Sequence, residues 1–159
     1  MASWSAKLAE LGIELPAVAK PVAAYVPAQL IGREIRTSGQ LPSVDGALVA
    51  SGKVGDPDRG GTVTPDEAYK CARVAALNAL AAVASVAGGI DRIERISHVT
   101  GFVASVPSFT GQPSVVNGAS ELLQAIFGDA GSHTRSAVGV AVLPLNAPVE
   151  IELTAVLRG

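Results

Sequence analysis

The stretch H-T-R-S-A-V-G-V-A-V-L-P-L-N-A-P-V-E-I-E, from His133 to Glu152, decides the fold. Apolar residues alternate with small or polar ones on either side of a segment holding Pro144 and Asn146. That period of two predicts two strands joined by a short turn. Successive strand side chains point to opposite faces. Ser136, Val138, Val140 and Val142 share one face, which the branched residues mark as the core side. Arg135, Ala137, Gly139 and Ala141 share the other, which is bare enough for a ligand or another chain to approach closely. On the next strand Val149, Ile151, Leu153, Ala155 and Leu157 form the core face, with Glu150 and Glu152 opposite. Two carboxylates and one guanidinium on the non-core faces read either as a functional site or as the ordinary charge of a solvated sheet. A turn centred on Leu145 and Asn146 places Arg135 opposite the region of Val156, not Glu150. The two could then share a site only through a neighbouring subunit or a strongly sheared pairing.

The rest of the chain bounds the class. Its 159 residues suffice for one domain with a real core, and 48% are hydrophobic while only 16% are charged. So little charge suggests that part of the surface is covered in an oligomer. A net charge of −2 and few aromatics argue against nucleic acid. The single cysteine, Cys71, excludes an intramolecular disulfide and a cysteine-based zinc cluster, and it fits a reducing cytoplasm. The apolar run Val74 to Ala87, broken by Asn78 and Ser85, is too short and too alanine-rich for a membrane span.

Ala2 to Leu11 reads as a short amphipathic helix ended by Gly12, with Trp4 as a packing anchor, followed by an extended connector between Pro16 and Pro21. Strands are expected at Tyr25 to Gln29, Arg33 to Gln40 and Ala47 to Val54, the last entered through Asp45-Gly46. The loop Gly55 to Thr62 has glycines but no following Gly-Lys-Ser/Thr, so it is not a phosphate loop. Thr64-Pro65-Asp66-Glu67 is a capping box that starts a helix running to Ala87 and stopped by Gly88-Gly89. That helix is apolar nearly all round, which calls for cover on more than one side, and the N-terminal helix is a candidate for the second cover. Arg92 to Val106 is a central strand carrying His98, read as a histidine bonded to a neighbour. Val115 to Phe127 is a second long helix. With only His98 and His133, no histidine metal triad can form.

Taken together, several segments resemble one known family. They are T-S-G-Q-L-P at Thr37 to Pro42, Asn117 in the second long helix, H-T-R-S-A-V-G-V-A-V-L-P at His133 to Pro144, and P-V-E-I-E at Pro148 to Glu152. They are similar to the YjgF/Rid family, whose members also carry the names L-PSP endoribonuclease and translation inhibitor. The resemblance covers residues 20–159, leaving 1–19 as an N-terminal helical extension and connector. It implies an α+β, chorismate-mutase-like fold: a mixed β-sheet with two long helices on one face, in the order β-β-β-α-β-α-β-β. It also implies a homotrimer with clefts between subunits, in which the bare Arg135 face becomes the intersubunit face. Arg135 and Glu150, from different chains, would then converge as the catalytic pair. Arg135 would hold a substrate carboxylate, which a guanidinium fork suits. Glu150 would orient or activate water, and Tyr25, Ser38, Gly39 and Asn117 would line the substrate cleft. Ala23-Ala24-Tyr25 stands where the family usually has G-P-Y, and Ala137 where it often has cysteine.

Three functions follow from that resemblance. The first is hydrolysis of 2-enamine and 2-imine acids, of the 2-aminoacrylate type, to 2-keto acids and ammonia in the cytoplasm, with no metal or organic cofactor. The second is a non-catalytic trimer that binds small carboxylates. The third is an endoribonuclease or translation inhibitor, weakened by the acidic chain and the scarcity of aromatics for base stacking.

Overall fold

Each element forms where its residues dictate. In the computed structural model, which describes residues 3–159, the chain runs α1 (Trp4–Glu10), β1 (Ala28–Ile31), β2 (Glu34–Thr37), β3 (Ser43–Val44), β4 (Ala47–Leu48), α2 (Pro65–Ala87), β5 (Ile93–Ala104), α3 (Gln112–Phe127), β6 (Thr134–Val140) and β7 (Val149–Leu157). Five strands make one mixed sheet in the order β1-β2-β7-β5-β6, while β3 and β4 form a separate small hairpin. Helices α2 and α3 pack on each other and on one face of the sheet. The α+β, chorismate-mutase-like architecture expected from the sequence is the one observed.

The capping box at Thr64 is complete. Glu67 N donates to Thr64 Oγ1 at 3.2 Å, and Thr64 N donates to Glu67 Oε2 at 2.8 Å. Thr64→Ala should therefore cost about 1 kcal/mol, lowering Tm by roughly 2–4 °C for a chain of this size. An unchanged melting curve would show that the cap contributes nothing. By length and composition α2, at 23 residues, could cross a bilayer. Here it is the central core helix, with Ala72, Ala75, Ala76, Ala79, Ala82 and Val83 buried against the sheet and α3. Cys71, in its second turn, is buried, and burial, followed by the nearby Glu67, pushes the thiol up to about 11.

Several sequence expectations need correction. The stretch from His133 to Glu152 is not a hairpin, because β5 lies between its two strands. β6 runs parallel to β5, as a strand returning through a helix does, and β7 runs antiparallel on β5's other side. Between β6 and β7 the backbone turns through a left-handed pair, Leu145 (φ 57) and Asn146 (φ 59), in a longer loop that carries the chain over to the far side of β5. Across β5, Arg135 is level with Leu153 rather than Val156.

The faces of β6 are also reversed. Val138 and Val142 are 44% and 67% exposed, whereas Ala137 packs against the core and Arg135 reaches α3. What approaches the small-residue face is α3 itself. A Cβ at Gly139 would lie 2.7 Å from Gln112 Nε2. The valine face is the open one. On β7 the expected faces hold: Val149, Ile151, Leu153, Ala155 and Leu157 are buried.

The first strand starts later than expected, at Ala28, because Tyr25 sits in a bend before it. The second is shorter than Arg33 to Gln40. The third shrinks to β4, paired with β3 around Asp45 (φ 51) and Gly46 (φ 82), the two left-handed residues of a tight hairpin turn. The N-terminal helix covers α3 and the turn at Ile90–Arg92 rather than α2. Trp4 anchors it, with its ring edge-on to Phe127 at 5.1 Å and its Nε1 donating to Ile93 O at 2.8 Å. Ala2 lies outside the described residues. His98 is bonded across the β5–β6 pair, its Nδ1 lying 2.8 Å from Thr134 Oγ1.

Candidate functional site

Polar residues on α3 recur at Asn117, Ser120, Glu121 and Gln124, the i, i+3, i+4, i+7 spacing that puts them on one helical face. That face lies over the start of β6, where it meets Arg135 and His133 in a cleft of about 380 Å³. Arg135 Nη1 donates to Asn117 Oδ1 at 2.8 Å and to Ser120 Oγ at 3.2 Å, and Nη2 donates to the Pro113 carbonyl at 3.2 Å. A guanidinium has five N–H donors in a rigid fork. Three are used to fix the group on α3, so the remaining donors are presented in a set orientation. Among the described residues no carboxylate pairs with this charge.

The chain of bonds continues inward. Ser120 Oγ and His133 Nε2 are 2.9 Å apart, and His133 Nδ1 is 2.6 Å from Gly131 O. A carbonyl can only accept, so Nδ1 carries the proton and Nε2 accepts from the serine. Burial, above all, holds His133 below the ordinary imidazole value of 6.5, helped by the charges of Arg135 and His98 and opposed by the bond to Gly131. The folded state therefore disfavours protonation. The associated stability is present above pH 6.5 and is lost as pH falls through the lower folded value. Between about pH 7 and pH 5, wild type should lose more Tm than His133→Gln does. Equal losses would remove His133 from the network's energetics. Neither Ser120 nor His133 stood out as a site residue in the sequence. The helical spacing from Asn117 to Gln124 was the signal that could have found Ser120.

A second group gathers around Glu150. Gln40 N donates to Ile151 O at 2.8 Å and Ile151 N to Gln40 O at 3.0 Å, which lays Gly39 against β7. A Cβ at Gly39 would fall 1.6 Å from Glu150 Oε1, so only glycine leaves this carboxylate where it is. Glu150 is half-buried, and burial, then the neighbouring Glu152, raises its carboxyl above the ordinary value of 4.5. Glu152 itself faces Arg36 at 3.5 Å. Ser38 Oγ donates to Val26 O at 2.5 Å, and Tyr25 Oη accepts from Val22 N at 3.4 Å. Tyr25 and Gly39 both line a larger cavity of about 730 Å³.

The structure thus divides the expected site into two halves. Arg135 and Asn117 lie on the helix side of the sheet. Glu150 lies on the open side, three residue rows away across β5, where it is level with Phe102 and Val138. Gly39 lies against Glu150, Ser38 precedes it in the chain and bonds Val26, and Tyr25 shares the larger cavity with Gly39. Within one chain Arg135 and Glu150 do not meet. The expectation that the Arg135 face is bare and open to another subunit is corrected: α3 of the same chain covers most of it. Among the described residues, no group of three or more His, Cys, Asp or Glu side chains is placed to hold a metal.

The fold has known counterparts. A family model described as "YjgF/chorismate mutase-like, putative endoribonuclease" matches residues 5–157. The chain belongs to that family. The match to the YjgF family begins inside α1, so it includes the N-terminal helix. The chain is 40% identical over 149 residues to protein TCP17 of Trypanosoma cruzi, covering 93% of this chain and 90% of that protein. A crystal structure described as a putative endoribonuclease from Shewanella oneidensis superposes with a TM-score of 0.91 at 35% identity, covering 98% of this chain and 100% of the other. The structure of Escherichia coli TdcF, solved with bound serine, matches at a TM-score of 0.55 and 26% identity over 90% of this chain and 93% of the other.

Proposed function

We propose that this YjgF-family chain hydrolyses 2-enamine and 2-imine acids to 2-keto acids and ammonia, in clefts between the subunits of a homotrimer. One observation carries the reading: Arg135 is fixed by three bonds to α3 on the wall of a cleft, and among the described residues it has no ion-pair partner, Glu121 of the same cleft being bonded to Tyr69 instead. A charge held ready but unpaired suits a carboxylate ligand. That TdcF binds serine, which bears a carboxylate, supports the same class of ligand. The trimer would supply what one chain lacks, bringing Arg135 of one subunit toward Glu150, Gly39 and Tyr25 of the next. The exposed Val138 on β6 and Val142 just past its end, with the low charge content, favour such an assembly.

In the reaction, an enamine first takes a proton at its terminal carbon, gives one up from nitrogen to solvent, and becomes the imine. Arg135 holds the carboxylate. Glu150 takes a proton from water as the water oxygen adds to the imine carbon, and that proton then goes to nitrogen. The hydroxyl of the adduct then gives its proton to the nitrogen, the carbon–nitrogen bond breaks, ammonia leaves, and the water oxygen becomes the keto oxygen. A carboxyl whose value is raised by burial is better matched to this exchange near neutral pH than an exposed one. The lone cysteine is compatible with a reducing cytoplasm, where we place the activity.

The test is ammonia release from freshly generated 2-iminopropionate, comparing wild type with Glu150→Gln, on protein whose mass in solution is read by light scattering. Release by wild type that falls at least tenfold in the variant, from a particle of three chains, is the expected result. A trimer that binds 2-keto acids but is silent with both proteins would be a carboxylate-binding protein. Cleavage of RNA without imine hydrolysis would favour the endoribonuclease reading, which the relatives' names support. A monomer would overturn the shared cleft.

A further inference from the structure

A cavity larger than the Arg135 cleft lies elsewhere in the chain. It is the space of about 730 Å³ enclosed by the connector between α1 and β1, the β3–β4 hairpin and one side of α2. Its walls are mostly apolar, with Val18 and Val22 from the connector, Val44 and Leu48 from the hairpin, and Val74 and Leu77 from α2, while Glu14, Lys20 and Asp45 also line it. Val18, Val22 and Val44 are among the exposed large hydrophobics of the chain, and all three border this one space. The hairpin side is held in place by a buried amide. Asn78 Nδ2 donates to Leu41 O and to Ser43 O, both at 2.9 Å. Both partners are carbonyls, so the amide is oriented by its bonds and the wall is preformed. The cavity meets the Glu150 group at one residue: Gly39 lines it, together with Tyr25, and Gly39 also lies against the Glu150 carboxylate.

A three-carbon imino acid would leave most of this space empty. Pockets of this size and lining enclose ligands much larger than that, with apolar walls and a few polar groups at one end. We propose that the cavity receives a long apolar side chain, so that the preferred substrates are 2-imino acids with extended aliphatic tails rather than 2-iminopropionate. This rests on the carboxylate reading above: the acid end lies at the Glu150 and Arg135 junction, and the tail runs between the connector and α2.

The experiment is calorimetric titration of the purified protein with pyruvate, 2-oxohexanoate and 2-oxooctanoate, with 2-octanone as the tail lacking an acid. Burial of each methylene predicts a gain in affinity of about three- to fourfold. Val44→Trp, at an exposed hairpin position, should fill the cavity and abolish the gain while leaving pyruvate binding unchanged. Val22→Trp repeats the test from the connector side if the first variant does not fold. Affinity that is the same for all three acids, yet lost in Arg135→Lys, would overturn the tail pocket and leave the carboxylate reading standing. Affinity that rises with length, is shared by 2-octanone and ignores Arg135→Lys would support the pocket and overturn the carboxylate reading. No binding by any of the four compounds would overturn both.

Discussion

Replacing Arg135 with lysine should leave a folded, assembled protein that hydrolyses 2-iminopropionate about a hundredfold more slowly in kcat/KM, a loss of roughly 2.7 kcal/mol of transition-state stabilisation. The geometry sets the size of the effect. Arg135 satisfies Asn117, Ser120 and the Pro113 carbonyl and still has N–H groups left for a ligand. Lysine has three donors on one nitrogen and no planar fork. It cannot keep the α3 contacts and also present two parallel bonds to a carboxylate. Losing part of the α3 network should change stability by only about 1 kcal/mol. Circular dichroism and light scattering should therefore match wild type, while an ammonia-release assay does not. Arg135→Ala should be slower still. Wild-type turnover by the lysine variant would remove Arg135 from substrate binding altogether.

Gly118→Ala is expected to have the largest effect on stability, and its sign is the test. In an ordinary helix interior alanine is better than glycine by about 1 kcal/mol. Gly118 is on α3 where it crosses α2, and a Cβ there would lie 2.0 Å from the Tyr69 carbonyl oxygen and 3.3 Å from Ala72 Cβ. The obstacle is backbone, so no side-chain rotation relieves it. The two helices must separate, and overpacking of this kind costs about 1–3 kcal/mol. At the upper end this lowers Tm by roughly 6–12 °C. A melting temperature equal to or above wild type would mean that α2 and α3 are not so closely apposed.

Both helices were readable in the sequence because their signals are local. Thr64, Pro65 and Glu67 start one, and Gly88 and Gly128 stop the two. The alternation of β6 and β7 was equally plain, but their pairing was not. Alternation says that two sets of residues face opposite ways. It does not say which set faces the core, nor which strand lies beside which. Chain order suggested a hairpin. The β5–α3–β6 connection instead requires parallel neighbours, and the left-handed turn at Leu145 and Asn146 then carries β7 to the far side of β5. On an edge strand the branched residues Val138 and Val142 need not be buried within the chain. The small ones, Ala137 and Gly139, are what allow α3 to approach. The sequence alone named Arg135 and Glu150. Their placement on opposite faces depends on this topology, and the Ser120–His133 link depends on the helix position that topology sets.

The chemistry of Cys71 makes the chain its own clock. A thiol pushed up to about 11 on the buried face of α2 is almost wholly protonated at neutral pH and shielded from reagents, while in an opened chain it returns toward about 8.5. There is no other cysteine to compete for the reagent. The rate at which a thiol-specific dye reacts with the native protein, divided by its rate with the denatured chain, therefore gives the fraction of time that α2 stands away from the sheet. Without any introduced label, that ratio would separate breathing of the central helix from global unfolding.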